Sequence, residues 1–262
     1  RKVDLIFCMD PRPSSNYNYS TLLQLRERDS APIIQRVGDL GTHGKPELYD
    51  LVRATEKYSD FFVFPSSWAL EYSGFSRKNC FIIENAPLSR FVNKKEKKSL
   101  GSPISLVTHH WSNNPLKGFD FYSELDSHCS TSENLSFTYI GRAPAGVKFC
   151  NHMDPMDVED LVKNVGDKDI YITASKKEAG ANHVLEAMAL GLPVLYHEDG
   201  GSIPEYCKDR GFSFRSLDDV ITILNDAEKM KKASNFRPYT RDASDMAKEY
   251  VDLFERAHES KH

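Results

Sequence analysis

The sequence lacks the features of disulfide-rich, zinc-binding and membrane-spanning proteins. Its five cysteines are scattered, odd in number and without a Cys-x-x-Cys pair, which favours a reducing, cytoplasmic location. No apolar run approaches the roughly 20 residues of a membrane-spanning helix. The N-terminus is typical of a strand rather than of a signal peptide. The sequence therefore predicts a cytoplasmic protein whose contact with membranes, where it has any, is peripheral.

Basic charge and metal motifs are also scarce. The net charge of −4 and the pI near 6.2 give no broad basic field, so we expect no nucleic acid partner. There is no Asp-x-Asp motif, and His109 and His110 are adjacent, so on a strand their side chains point to opposite faces. The sequence therefore predicts no bound metal.

What is present is typical of a globular α/β protein. The 262 residues, 40% hydrophobic and 27% charged, suffice for the cores of two domains. Short apolar runs alternate with amphipathic segments, which predicts parallel sheets covered by helices. We divide the chain into a first domain at 1–92, a charged linker at 93–103, a second domain at 104–238 and a terminal segment at 239–262.

The predicted elements follow this alternation. The expected strands lie at 3–8, 32–37, 61–64, 80–83, 104–107, 136–140, 169–174 and 194–196. The expected helices lie at 19–28, 46–57, 67–74, 118–126, from 182 onward, at 203–209, 217–229 and 240–257. The last of these places Met246, Tyr250, Leu253, Phe254 and Ala257 on one stripe, as an amphipathic helix requires.

The most informative stretch runs from Glu178 to Glu186, between a predicted strand and a predicted helix. The backbone N–H groups of Ala179, Gly180, Ala181 and Asn182 lie at the helix N-terminus, where a phosphate can approach closely. The two carboxylates suit sugar or ribose hydroxyls. This pattern predicts a site for a nucleotide-sugar.

This stretch resembles the Glu-x7-Glu motif of retaining glycosyltransferases of family four. Two segments after it also resemble the sequence of that family: Ala187-Met-Ala-Leu-Gly-Leu-Pro-Val194 and Gly200-Gly-Ser-Ile-Pro-Glu205. The resemblance implies that Glu178 contacts the donor sugar and Glu186 the ribose. One departure stands out: family members have glycines on both sides of a bulky residue after the first Glu, whereas this chain has Ala179 and Ala181 around Gly180.

Further residues acquire roles through the same resemblance. Lys117 matches the lysine that neutralises the donor diphosphate. An arginine often precedes that lysine, so His110 substitutes for it or the second cation is missing. After the second strand, Asp39 and His43 stand near where the family has a His or His-Asp beside the donor sugar; a turn capped by Asp39 is the alternative. Arg36 is a further candidate for phosphate.

The resemblance implies two Rossmann-like domains of the GT-B type facing a cleft: an incomplete first domain on the acceptor side and a second domain that binds the nucleotide-sugar. It also implies that a C-terminal helix at 239–262 crosses back to the first domain. Either residues before Arg1 are missing or the protein is a reduced form. The catalytic candidates are Glu178, Asp39, His43 and Lys117. The donor-binding candidates are Lys117, His110, Glu178, Ala179, Gly180, Ala181, Asn182, Glu186 and Arg36.

The expected activity is metal-independent, retaining transfer of a hexose from a UDP- or GDP-sugar to a saccharide, lipid-linked or protein acceptor, with no cofactor beyond the donor. Three alternatives stay open. The chain is a non-catalytic nucleotide-sugar-binding subunit, a sugar-nucleotide epimerase, or an α-glucan phosphorylase. The last needs a pyridoxal lysine, and no lysine of the sequence stands out for that role.

Overall fold

The structure is a computed structural model that describes residues 2–12, 18–76, 78–92, 100–237 and 239–260. The chain divides into two compact units: one runs to Asn85 and resumes at Ser244, and the other is Ala86–Ala243. Residues 86–92, which the sequence placed in the first domain, thus lie in the second unit, because Phe91 is buried in its core. Most of the predicted linker, 93–99, lies outside the described residues.

Short apolar runs build the sheet of the first unit. Its strands pair in parallel and in chain order, with Ile6 opposite Ile33 and Ile34 opposite Phe61. The strands are β1 (Ile6–Cys8), β2 (Ile33–Arg36), β3 (Phe61–Phe64) and β4 (Cys80–Ile82). The helices between them are α1 (Tyr19–Asp29), α2 (Glu47–Ala54), which a 3-10 turn at Thr55–Lys57 extends, and α3 (Ser67–Ser73).

The second unit contains a larger sheet whose central strands are buried on both faces. Its strands are β5 (Ile104–His110), β6 (Leu135–Gly141), β7 (His152–Met153), β8 (Ile170–Thr173), β9 (Val194–His197) and β10 (Gly211–Phe214). All pairings are parallel, in the order β10-β9-β8-β5-β6-β7. The predicted α/β class with parallel sheets is confirmed, whereas β7 and β10 were not predicted.

The strand order creates a crevice beside β5. From β5 the chain moves to β6 on one side and later returns to β8 on the other side. Beyond their loops, the segments that follow β5 and β8 pack on opposite faces of the sheet. In open parallel sheets, ligands bind at this point of reversal.

Helices cover both faces of this sheet. They are α4 (Phe119–Ser130), α5 (Val158–Gly166), α6 (Asn182–Ala189), α7 (Ile203–Cys207), α8 (Leu217–Asn225) and α9 (Ala227–Ala233), with 3-10 turns at Ser89–Phe91 and Pro115–Lys117. The single helix predicted at 217–229 is wrong. Asp226 has an extended backbone, and its side chain accepts a hydrogen bond from the Lys229 N–H, so it ends α8 and caps α9.

The C-terminal helix, α10 (Ala243–Glu259), packs on the sheet of the first unit. Leu253 and Ala257 are buried against Ile34 and Val63, and the Phe7 ring lies 5.0 Å from the Phe254 ring. The predicted apolar stripe is confirmed. Among the described residues, no helix combines the length and the apolar composition needed to cross a bilayer.

Tyr122 ties α4 to the carboxyl end of β8. Its side chain is fully buried, and its hydroxyl accepts a hydrogen bond from the Ala174 N–H at 2.9 Å. The same hydroxyl lies 2.8 Å from His110 Nε2 at the end of β5. Burial raises the pKa of Tyr122 to about 12. One neutral hydroxyl therefore connects the two strand ends that border the crevice.

We expect Tyr122→Phe to lower the free energy of unfolding by about 1–3 kcal/mol, because the buried Ala174 N–H loses its acceptor. Urea denaturation measures this change. Tyr72→Phe is the control: Tyr72 is 42% exposed, and its variant should stay within about 0.5 kcal/mol of the original protein. Equal effects in the two variants would contradict this role of the Tyr122 hydroxyl.

Candidate functional site

A pocket of about 400 Å³ lies in the second unit at the carboxyl ends of β5, β6 and β8. It combines one cation, two carboxylates, three histidines and an apolar wall. The lining residues are His109, His110, Trp111, Ser112, Lys117, Ile140, Gly141, Pro155, Met156, Leu161, Glu178, Gly180, Asn182, His183 and Glu186. The pocket therefore occupies the crevice that the strand order creates.

The loop after β8 positions Glu178 through its backbone. The Glu178 N–H donates to the Gly200 carbonyl at 3.2 Å, and the Glu178 carbonyl accepts from the Ser202 N–H at 2.8 Å. Gly201 has a φ of +73°, and a Cβ there would lie 2.4 Å from the Glu178 carbonyl oxygen. The loop after β9 can hold Glu178 this closely because position 201 has no side chain.

The loop after β5 positions Lys117. The Asn114 side chain accepts from the Leu116 N–H, and the Lys176 N–H donates to the Leu116 carbonyl at 2.8 Å. Gly118, with a φ of +85°, ends this 3-10 turn, and a Cβ there would lie 2.5 Å from the Ala174 Cβ. Glycine thus lets the lysine loop lie directly against the end of β8.

Lys117 and Glu178 form an ion pair across the point of reversal, with Lys117 Nζ 2.5 Å from Glu178 Oε1. Each side chain is only 12% exposed. Removing one partner of such a desolvated pair typically costs about 3–5 kcal/mol, because the other charge is left uncompensated. A bound anion can supply that compensation in place of Glu178.

The N-terminus of α6 faces the same pocket through Gly180 and Asn182. The Ala181 side chain offers no cap to the helix, and the Ala181 N–H donates to the Ser202 hydroxyl at 3.2 Å. Ala179 and Ala181 are buried, so methyl groups fit where the related motif has glycines. The helix start predicted at residue 182 is confirmed, and its dipole favours an anion at this end.

His109 and Glu186 form a second polar pair in the pocket, with His109 Nε2 2.9 Å from Glu186 Oε2. The two side chains are 11% and 23% exposed. His109 Nδ1 is buried and has no hydrogen-bond partner, which favours the tautomer that carries its proton on Nε2. His109 therefore donates to Glu186 and fixes the orientation of that carboxylate.

The neighbouring His110, which the sequence offered as a second cation, is only 4% exposed. Its ring lies beside Tyr122 and 5.1 Å from the His183 ring. The different partners of His109 and His110 agree with the alternation expected along a strand. Among the described residues, no group of three or more His, Cys, Asp or Glu side chains is arranged to hold a metal ion.

The remaining candidates, Arg36, Asp39 and His43, belong to the first unit. Arg36 donates to the Asn85 side chain at 3.1 Å. Asp39 accepts from the Gly41 N–H at 2.9 Å, which is the capped turn of the alternative interpretation. His43 is half-buried on the same turn. The roles of these three residues in a substrate site stay predictions.

Sequence reasoning did not assign His109, Trp111 or Ser202 to the site. His109 and Glu186 are 77 positions apart, so no local spacing indicates their pairing. Ser202 contacts Ala181 through a loop from another strand. The signal that was available is the position of His109 and Trp111 at the end of β5, the strand that the resemblance already connected with Lys117.

Known proteins resemble this chain in part of its sequence and in its fold. Residues 142–242 match the family model of glycosyl transferases group 1. This range includes Glu178 and Glu186, and it begins after Lys117. No protein of curated function matches the chain in sequence.

Solved glycosyltransferase structures share the fold. The sucrose-phosphate synthase from Thermosynechococcus elongatus has a TM-score of 0.69 at 14% identity, over 92% of this chain and 72% of its own. WaaG, a glycosyltransferase involved in lipopolysaccharide biosynthesis, has a TM-score of 0.66 at 16% identity, over 93% of this chain and 85% of its own. The pneumococcal O-GlcNAc transferase GtfA, in complex with UDP and GlcNAc, has a TM-score of 0.59 at 14% identity, over 89% of this chain and 54% of its own.

At these identities the likeness concerns the fold, which is the Rossmann-like α/β fold of GT-B glycosyltransferases. The chain spans about half the length of GtfA.

Gly118→Ala tests whether close approach of the lysine loop requires a glycine. We expect it to lower the free energy of unfolding by about 3 kcal/mol, because the new methyl group adds a clash with Ala174 to the strain of positive φ. Gly146→Ala is the matched control, since Gly146 has a φ of +87° and nothing within 4 Å of its Cβ position. It should cost about 1 kcal/mol. Chemical denaturation of both variants gives the comparison, and equal losses would contradict the packing argument.

Proposed function

We propose that this chain is a glycosyltransferase that takes a hexose from a UDP- or GDP-sugar. One observation carries the proposal: Lys117, Glu178, Glu186 and the N-terminus of α6 line a single pocket at the point of reversal of a parallel sheet. The similarity of residues 142–242 to glycosyl transferases group 1 and the UDP bound to GtfA support it.

Each part of the donor has a chemically matched partner in this pocket. The diphosphate lies against Lys117 and the N–H groups at the start of α6, where cation and dipole favour negative charge. Glu186, held by His109, accepts hydrogen bonds from the ribose hydroxyls. Glu178 accepts from hydroxyls of the transferred sugar.

The ion pair gives donor binding an exchange step. In the structure, Lys117 is paired with Glu178. The donor diphosphate takes over Lys117, and the Glu178 carboxylate then turns to the sugar hydroxyls. The charge of Lys117 is balanced in both states, so the buried ammonium is never left alone.

The reaction needs stabilisation of a leaving diphosphate. The bond between the anomeric carbon and the phosphate oxygen breaks while the acceptor hydroxyl oxygen bonds to that carbon, and the acceptor proton passes to the leaving phosphate. Lys117 and the helix N–H groups stabilise the negative charge that develops on the diphosphate. Attack from the face of the leaving group retains the anomeric configuration, and the cation and N–H groups carry this charge without a metal.

The acceptor is a saccharide, a lipid-linked molecule or a protein. Asp39 and His43 stay catalytic candidates, and Arg36 stays a candidate for binding phosphate.

A nucleotide-sugar-binding protein without transfer activity is the second candidate. It is favoured by the scarcity of cations: Lys117 is the one Lys or Arg among the described residues that line the pocket. Product analysis with a sugar nucleotide, with and without added acceptor, separates the candidates. Transfer or slow donor hydrolysis supports the transferase, a donor that stays intact supports the binding protein, and an isomerised sugar nucleotide supports an epimerase.

Glu178→Gln and Glu186→Gln should separate binding from turnover. Glu178→Gln frees Lys117 for the diphosphate, so we expect nucleoside diphosphate affinity to hold or rise while transfer falls at least about a hundredfold. Glu186→Gln should weaken nucleoside diphosphate binding about tenfold, because a charge-assisted hydrogen bond is lost. Calorimetry with UDP and GDP, together with transfer assays, measures both.

Glu124→Gln is the control for these variants, because Glu124 is exposed on α4 and does not line the pocket. It should leave binding and transfer unchanged. If Glu178→Gln and Glu186→Gln also leave both unchanged, the assignment of the pocket is wrong.

His109 acts as a positioning residue for Glu186. His109→Leu removes the donor to the carboxylate and should weaken nucleoside diphosphate binding about tenfold. His109→Gln retains an N–H donor and should restore most of the affinity. Calorimetry on the two variants tests the pairing, and equal losses in both would mean that the histidine has only a packing role.

A further inference from the structure

Trp111 is the most exposed of the large apolar side chains in the described part of the chain, with 67% of its surface accessible. It directly follows β5 and lines the pocket that contains Lys117, Glu178 and Glu186. An exposed aromatic ring that lines a pocket is a site for a ligand with an apolar face.

Arg142 covers one face of this ring, with its guanidinium carbon 4.2 Å from the Trp111 ring centroid. The backbone of Arg142 is fixed at both ends: its N–H donates to the His110 carbonyl at 3.1 Å, and its carbonyl accepts from the Tyr139 hydroxyl at 2.7 Å. The cation therefore holds the indole from one side by a cation–π contact.

The order of the strands gives the pocket a direction. Glu178 follows β8, and its partner Lys117 lies on the loop that packs against the end of β8. Glu186 of α6 meets its partner His109 at the end of β5. Trp111 and Arg142 lie where β5 meets β6, and the apolar Pro155 and Met156 follow β7 at the edge of the sheet. The pocket thus runs from a charged end to an aromatic and apolar end.

A nucleoside diphosphate sugar has its parts in the same order: sugar, diphosphate, ribose, base. With the diphosphate at Lys117 and the ribose at Glu186, the base lies beyond the ribose, towards β6 and β7. We infer that Trp111, held by Arg142, is the stacking platform for the nucleobase of the donor. This inference rests on the proposed function and adds a residue that determines how the base is bound.

Stacking on an indole depends on the π-face that every base has, so the platform accepts both uracil and guanine. Loss of one such contact weakens binding about tenfold. We therefore expect Trp111→Ala to weaken UDP and GDP binding by this factor and to leave inorganic pyrophosphate binding unchanged. Trp111→Phe, which keeps a smaller ring, should bind UDP and GDP with an affinity between those of the original protein and Trp111→Ala.

Fluorescence tests the contact directly, because the chain has only two tryptophans. The other, Trp68, stacks on Tyr72 in the first unit. In the Trp68→Phe variant all tryptophan emission comes from Trp111. We expect saturable quenching of this emission by UDP and GDP, and none by pyrophosphate or glucose 1-phosphate. Arg142→Gln in the same background should reduce the quenching at a given UDP concentration.

The outcomes distinguish the inference from the proposed function. If UDP and GDP bind by calorimetry but neither changes the emission, and Trp111→Ala binds them normally, the stacking platform is wrong while the proposed function stands. If glucose 1-phosphate quenches and the nucleotides do not, the platform takes a sugar and the base assignment fails. If no nucleotide binds to the unmodified chain, both proposals fail.

Discussion

The ion pair between Lys117 and Glu178 is the interaction on which the arrangement of the pocket depends. Its two residues come from loops after different strands, and both side chains are almost fully desolvated. Opposite charges attract far more strongly in such surroundings than in water, and an unpaired charge there is correspondingly costly. Gly118 lets the loop that carries Lys117 lie against the end of β8, and Gly201 lets the loop after β9 hold the backbone of Glu178. The glycines and the pair are therefore parts of one device.

Much of the fold could be predicted because the buried strands are short apolar runs. The runs at β3 and β8 are apolar at most positions, and the start of α6 follows from small residues before an apolar helix. The two-residue β7 is too short to give a pattern. The break at Asp226 was missed because a capping aspartate lies inside an otherwise continuous helical pattern. Local chemistry overrode the periodicity at that point.

The candidate site was predictable where its residues are close in sequence. Glu178 and Glu186 at the two ends of one short stretch line a single pocket, and Lys117 lines it from the loop after β5. The partner of Glu186 was not predictable, since the strand order decides that His109 lies opposite α6. Arg36, Asp39 and His43 belong to the other unit, where Arg36 donates a hydrogen bond to Asn85 and Asp39 accepts one from Gly41. A contact between side chains of a strand and of a helix that follows another strand depends on the order of the strands rather than on spacing in the sequence.

The terminal helix α10 has a consequence for the order in which the chain folds during synthesis. The sheet of the first unit is made of residues that leave the ribosome early, yet its apolar face is covered by Leu253 and Ala257, which leave late. The second unit is continuous in sequence from Ala86 to Ala243. It can complete its core while the first sheet still exposes Ile34 and Val63. Of the two units, the one whose sheet is translated earlier is thus the one whose core is completed later.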